Sequence, residues 1–409
     1  MVATTGFQAA LESNRASIGY GVESVWGTAA GQFQLIRFNS STLAGARTMQ
    51  RPSEITGTRE ASQSVTTQVT AGGTINFSMS ATTFDEFVFA NVLQADWGST
   101  VAINGSSGDI TLTASSGMIT LSSTTPGKFS GLINKQWIRT LGFSLGSTLT
   151  DGTKANNGWW FIENRGTSPD TVLNLIGPNG TGAATETPSG SAAKIRASTI
   201  KNGSTFKSYF TEVQYDTDKF LKYAGSYAAR ATLTGGLGAF TTGTVDIVSK
   251  SEAQGTATSS TGAVLAAPTG RVMDPISGFV GCYFNGADLG TGVESFGITL
   301  ENTGAASEFA MGSAAAQGIL SGTFTASGTL RAYFKDFTLY SNVANETSGE
   351  LAFIVQDSTG ASYAFTFLDA KLNGRIAIGG PGQAVSVDYE VSAGPTSAGT
   401  FVIDRMAAS

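Results

Sequence analysis

The heptapeptide VTAGGTI (Val69–Ile75) recurs almost unchanged as FTASGTL (Phe324–Leu330), offset by 255 residues (324 − 69 = 255). Each copy lies inside a longer run of period two. In Val69–Met79 one face carries Val69, Ala71, Gly73, Ile75, Phe77 and Met79, and the other carries Thr70, Gly72, Thr74, Asn76 and Ser78. In the second run Phe324, Ala326, Gly328, Leu330, Ala332 and Phe334 oppose Thr323, Thr325, Ser327, Thr329 and Arg331. Such alternation predicts half-buried strands. Both runs are about twice the usual strand length of ~5–6 residues. A strand that long needs partners along its whole length, because a bare edge recruits other chains.

The surroundings repeat as well. After the first strand comes TTFDEFVFANVLQ. There Thr83 and Glu86 have the spacing of a capping box, and Phe84, Phe87, Val88, Val92 and Leu93 fall on one helical face. After the second comes KDFTLYSNVANE, a shorter helical pattern carrying Phe337, Leu339, Tyr340 and Val343. Strand-like stretches precede both, Phe33–Leu43 and Val293–Thr303, each followed by a long polar connection, 44–64 and 304–317. Seven matched residues can arise by chance in a chain rich in Thr and Gly. The shared order of strand, loop, long strand, helix and further strands is the stronger sign of an internal duplication.

The first unit is interrupted after Trp97 by short strand patterns between Gly, Asn, Ser and Pro turns. Residues 1–97 and 204–250 therefore read as one discontinuous unit, 98–203 as a small inserted β domain, 251–274 as a linker and 275–409 as the second unit. Composition agrees: Gly is 52 of 409 residues, charged residues are 13% and hydrophobic residues 41%, with Thr, Ser, Val and Phe abundant. That mix favours strands joined by turns and is too apolar for disorder. The expected fold is mainly β: two related sandwich or barrel units, each with a flanking helix, plus the insert.

Several function classes drop out. The net charge is −6 with no basic run, so sequence-specific nucleic-acid binding is not expected. The chain has no histidine, hence no imidazole base or ligand. Its one cysteine, Cys282, reads as a small buried apolar side chain, and a disulfide-free chain of this kind suits a reducing compartment. Asp216 and Asp218 form a lone Asp-x-Asp, and Gly235–Phe240 (GGLGAF) lacks the Lys-Ser/Thr of a phosphate loop. No catalytic, metal or cofactor site is expected. The start lacks a basic segment with an apolar core, and no stretch approaches ~20 apolar residues, so neither a secretory signal nor membrane insertion is expected.

Taken together, GYGVESVWGT, TQVTAGGTINFSMSATTFDEFVFANVLQADW, STFKSYFTEVQY and ASGTLRAYFKDFTLYSNVANE, with LAFIVQD and YAFTFLDAKL, resemble the major tail tube proteins of phages with long, non-contractile tails (siphophages). The insert stretch QWIRTLGF…NNGWWFIENRG is similar to a segment of long members. The resemblance implies a structural virion protein of the tail, made in the bacterial host cytoplasm. It implies rings whose inner strands close into a barrel and stack into a hollow tube that conducts double-stranded DNA. It further implies a tape-measure protein in the lumen during assembly, and tail-tip and terminator proteins at the ends. With most such rings holding six tube domains, a duplicated chain would build a trimer of pseudo-sixfold symmetry.

The small, polar strand face suits a lumen: Thr70, Thr74, Asn76 and Ser78 in one copy, Thr325 and Thr329 in the other. Arg331 stands against that assignment. The loop RTMQRPSEITGTRE carries Arg47, Arg51, Glu54, Arg59 and Glu60, either as a solvated loop or as a contact to the adjacent ring. The rival class is a surface carbohydrate-binding or adhesive β protein, in which Trp159 and Trp160 stack on a sugar. More often a strand turns one of two adjacent indoles into the core and its neighbour outward.

Overall fold

The computed structural model describes residues 11–407 apart from 56, 58, 116–117, 149–153, 167–169, 178–181, 190–192, 275–277, 290–291, 336, 377 and 379. In chain order the first unit opens with β1 (Ser17–Val22), β2 (Gln34–Ile36), β3 (Ser40–Ser41), β4 (Ala44–Gln50) and β5 (Val65–Ser78). A π-helical turn (Asp85–Ala90) then runs into α1 (Asn91–Leu93). The insert holds β6 (Val101–Asn104), β7 (Ile110–Ser115), β8 (Met118–Ser123), β9 (Trp137–Leu141), β10 (Gly158–Arg165), β11 (Val172–Ile176) and β12 (Lys194–Ala197). After β13 (Thr199–Lys201), the first unit resumes as β14 (Tyr209–Asp216), β15 (Lys219–Gly236), β16 (Ala239–Ser249) and β17 (Ser251–Gly255). The second unit comprises β18 (Phe279–Phe284), β19 (Ala287–Asp288), β20 (Val293–Thr303), β21 (Ala306–Glu308), β22 (Gly318–Leu320), β23 (Thr323–Tyr333), α2 (Thr338–Ala344), β24 (Gly349–Gln356), β25 (Ser362–Ile376), β26 (Ser386–Ala393) and β27 (Phe401–Met406). The fold is mainly β, with several sheets and, among the described residues, no closed barrel.

The two units repeat strand pairing as well as sequence. β5 lies between β4 and β16, and β23 lies between β20 and β26. Even the register is copied. Gly72 faces Val248 in one unit and Ser327 faces Ser392 in the other, offsets of 255 (327 − 72) and 144 (392 − 248). The same 255 carries β3 and β4 onto β20, so the counterpart of Val293–Thr303 is residues 38–48 rather than 33–43. The segment read as a linker opens with β17, which pairs with Phe220–Ala224 just as β27 pairs with Ser362–Phe367.

The repeated glycine has a steric cause. A Cβ on Gly73 would sit 2.5 Å from the Thr42 carbonyl oxygen, and one on Gly328 would sit 2.6 Å from the Gly297 oxygen. Thr42 and Gly297 are themselves 255 apart (297 − 42), so the same neighbour presses on the same glycine in both units. Gly73 also has φ 149°, which a side chain disfavours.

The first helix departs from its expected start. Thr83 bonds Ser80 rather than a helix N–H, and Glu86 accepts from Tyr209 and Lys207, so no capping box forms. Its apolar face is as expected, with Phe84, Phe87, Val88, Val92 and Leu93 all buried. The insert's sheet, ordered β6-β12-β9-β10-β11-β8-β7, is docked onto the second unit. Trp137 packs against Tyr283, donates its backbone N–H to Asp404 at 2.9 Å and its indole N–H to Thr366 at 3.1 Å.

Candidate functional site

The two units are joined edge to edge: β15 pairs with β20, from Arg230 opposite Glu301 to Gly236 opposite Ser295. The long hydrogen-bonded strands thus form one continuous sheet, β4-β5-β16-β15-β20-β23-β26-β25. One of its faces is buried on Ile75, Phe77, Val245, Leu233, Ile298, Leu300, Leu330, Tyr389 and Val391.

The other face is polar and runs in rows across the strands. One row, following the Cα partners, reads Ser40, Asn76, Thr244, Thr232, Thr299, Ser327, Ser392 and Lys371. Alternation forces this: residues of equal parity in register share a side. Hydroxyls bond across the strands, Thr232 to Thr244 at 2.6 Å and Thr234 to Thr242 at 3.2 Å. Asn76 donates to Ser40 at 2.8 Å, and the Thr74 hydroxyl donates to Asp246 at 2.6 Å. Thr70, Thr74, Asn76, Ser78, Thr325 and Thr329 all fall on this face.

Opposite charges lie side by side on the face. Arg230 stands between its Cα partners Asp246 and Glu301. Arg331, which sequence reasoning set against a lumen, is paired with Glu294 at 2.8 Å and lies 3.6 Å from Asp388. Hydrogen bonding and attraction from Glu294, with Asp388 nearby, raise the Arg331 pKa, while Arg331 lowers that of Glu294. Arg331 is exposed and Glu294 half-buried at the surface, so the pair is a local neutraliser rather than a source of stability. Alternation marks each polar residue of the face in the sequence. The ion pairs were invisible there because their members come from different strands.

The remaining candidates land differently. Arg47 is part of β4, opposite Val69, while Arg51, Glu54, Arg59 and Glu60 are exposed in the connection to β5. The Val69 N–H donates to Ala314 O at 2.8 Å, so the base of this hairpin touches the second unit's corresponding connection, which itself contains the β21–β22 hairpin. Trp159 is 4% exposed and Trp160 is fully buried, so neither indole offers a face to a sugar. Both faces of β10 are covered. Trp159 packs with Trp137, which in turn contacts the second unit, and the Trp160 indole donates to Thr140. Asp216 and Asp218 are spent on Lys219. Cys282 is buried in the second unit's core.

A duplicated unit joined through strand edges into one sheet, apolar behind and evenly polar in front, is the build of a structural subunit. Residues 13–393 match the family described as phage tail tube protein, and the chain belongs to that family. No curated protein matches it. It is a structural component of a bacteriophage tail that self-assembles into a tube, and the family is not one of enzymes.

Proposed function

We propose that three copies close into a ring of pseudo-sixfold symmetry, and that rings stack into the hollow tail tube of a siphophage. The tube takes up a tape-measure protein during assembly in the bacterial host, ends on tail-tip and terminator proteins, and later conducts double-stranded DNA. The observation that carries this reading is the continuous sheet, in which two equivalent four-stranded halves already sit side by side. Its strand ends leave β4 and the second half of β25 as open edges, and ring closure is one way to remove such edges.

The polar face is the side assigned to the lumen. DNA carries a charge every ~1.7 Å of axis, so a face with unpaired cations would grip it. The carboxylates set opposite Arg230 and paired with Arg331 offset those cations and favour low friction instead. The hairpin holding Arg51, Glu54, Arg59 and Glu60 is assigned to contact the adjacent ring. Full-length tubes from a chain lacking residues 51–64 would rule out that contact.

Native mass measurement with negative-stain microscopy tests the whole. Rings of three 42.0 kDa chains, or hollow tubes built from them, are expected. Rings of six chains would keep the tube and overturn the pseudo-symmetry, and a persistent monomer would overturn the ring.

A further inference from the structure

We infer that the joint between copies repeats, residue for residue, the joint between the two units within a chain, and that α2 is a docking helix for the next copy. This deepens the ring reading and rests on it.

The register fixes the strand contact. Within the chain Ala231 of β15 faces Leu300 of β20. Ala231 also faces Val245, and its counterpart in the second unit is Gly374, which faces Tyr389 (389 − 245 = 144). Leu300 corresponds to Gly45 (300 − 255). The joint therefore sets Gly374 opposite Gly45 of the next copy, with Asn373 opposite Ala46 and Arg375 opposite Ala44. The small residues Ala44, Gly45 and Ala46 leave the edge sterically open to a strand. All three are exposed, and β25 beyond Ala370 pairs with β26 alone among the described residues. In the single chain the Gly45 N–H is held by the Glu252 carboxylate at 2.6 Å. A side chain, able to withdraw, occupies the place that a strand takes at the internal joint.

The helices give a second, independent observation. The first helix is covered by the second unit. Phe89 packs on Tyr363 and Phe365, Asp85 binds Tyr363 and Arg405, and the Asn302 side chain donates to Val92 O at 3.0 Å. Every residue from Phe87 to Leu93 is buried. α2 packs Leu339 and Val343 on its own core, but among the described residues its start is not covered by another unit. Phe337 at its start is 66% exposed, with Tyr340 beside it at a ring distance of 6.3 Å. Shifting the internal contact by one unit brings α2 against the start of β15 and the end of β17 of the next copy. Those elements line an open, mainly apolar groove of about 470 Å³, where Tyr215, Phe220 and Leu221 lie beside Gly255 and the Asp218–Lys219 pair. Phe337 and Tyr340 of one copy fill the groove of the next.

The test uses the full chain. Ala46→Cys with Asn373→Cys places two thiols on Cα partners within the spacing a disulfide requires, while buried Cys282 stays out of reach. Mild oxidation of the assembled variant is expected to give covalent species of two and three chains and none larger, with neither single variant doing so. Assembled rings without cross-links would overturn this joint while leaving the ring reading intact. Unmodified protein that forms no rings would instead defeat the ring reading itself. Phe337→Ala, in an otherwise unchanged chain, is expected to raise the concentration needed for assembly at least ~10-fold, as loss of a buried aromatic anchor does, with the monomer's circular dichroism unaltered. Unchanged assembly would overturn the docking role of α2.

Discussion

Gly73 and Gly328 show how one residue type comes to be written twice. Each sits under a backbone carbonyl oxygen of the segment running alongside, 2.5 or 2.6 Å from where a Cβ would be. Backbone, unlike a flexible side chain, cannot step aside without disturbing the ladder. Gly73→Ala and Gly328→Ala are therefore each expected to destabilise by roughly 1–3 kcal/mol, in the manner of overpacking. Gly73→Ala should cost more because of its positive φ. Chemical denaturation of the unassembled chain checks this, and two neutral substitutions would remove the steric account.

Asp404 is the other residue with a sharp expectation. It is wholly buried where the insert meets the second unit, and burial pushes its pKa up to about 7, although the Thr199 hydroxyl and the Trp137 N–H pull the other way. A carboxyl raised in the folded state favours folding fully below its unfolded value. The contribution is lost as pH climbs to about 7, and is flat beyond. Between pH 5 and 8 the cost is about 2–3 kcal/mol. Asp109 and Glu186 are held below their ordinary values and so act only in stronger acid. Asp404→Asn should flatten the fall in stability from pH 5 to pH 8, read from thermal unfolding at the two values. An unchanged slope would show that Asp404 does not titrate there.

Among the elements, the insert is less separate than its boundaries suggest. Its Trp137 side shares a hydrophobic cluster with Tyr283, Ala352, Ile354, Ala364 and Met406 of the second unit. Removing residues 101–197 would bare those side chains as one apolar patch, which monomers rarely tolerate. The deletion is expected to bind a hydrophobic dye and sediment as aggregates, whereas a soluble, dye-silent product would mean that the insert only rests on the surface. This docking was illegible in the sequence. The adjacent indoles Trp159 and Trp160 read as one inside and one outside because alternation describes a strand with a single covered face. Here the second face is covered by a partner far along the chain. Long, strictly alternating strands such as β5 and β23 were legible, as was the apolar face of the first helix. Its start was not, since Glu86 is drawn to Tyr209 and Lys207, more than a hundred residues away.

For the whole molecule, the proposed passage of DNA rests on how charge is set across the joined sheet. The duplication and the polar parity of the face can be read from the sequence. The setting of acids beside Arg230 cannot, because Asp246 and Glu301 come opposite it only once three strands align. Asp246→Asn with Glu301→Gln keeps the shape and hydrogen-bonding capacity of both side chains and removes both charges around Arg230. If these acids are what keep the face from gripping DNA, the wild-type chain should not retard a short duplex at 50 mM salt. The double variant should retard it, and the effect should fade by 200 mM as counterion release predicts. Repeating the trial with Arg230→Gln added to the double variant separates the local cation from a general change in net charge, and binding should vanish again. Steep, salt-sensitive binding by the wild-type chain would mean that the face holds DNA rather than passing it. The lumen would then have to be sought on another surface.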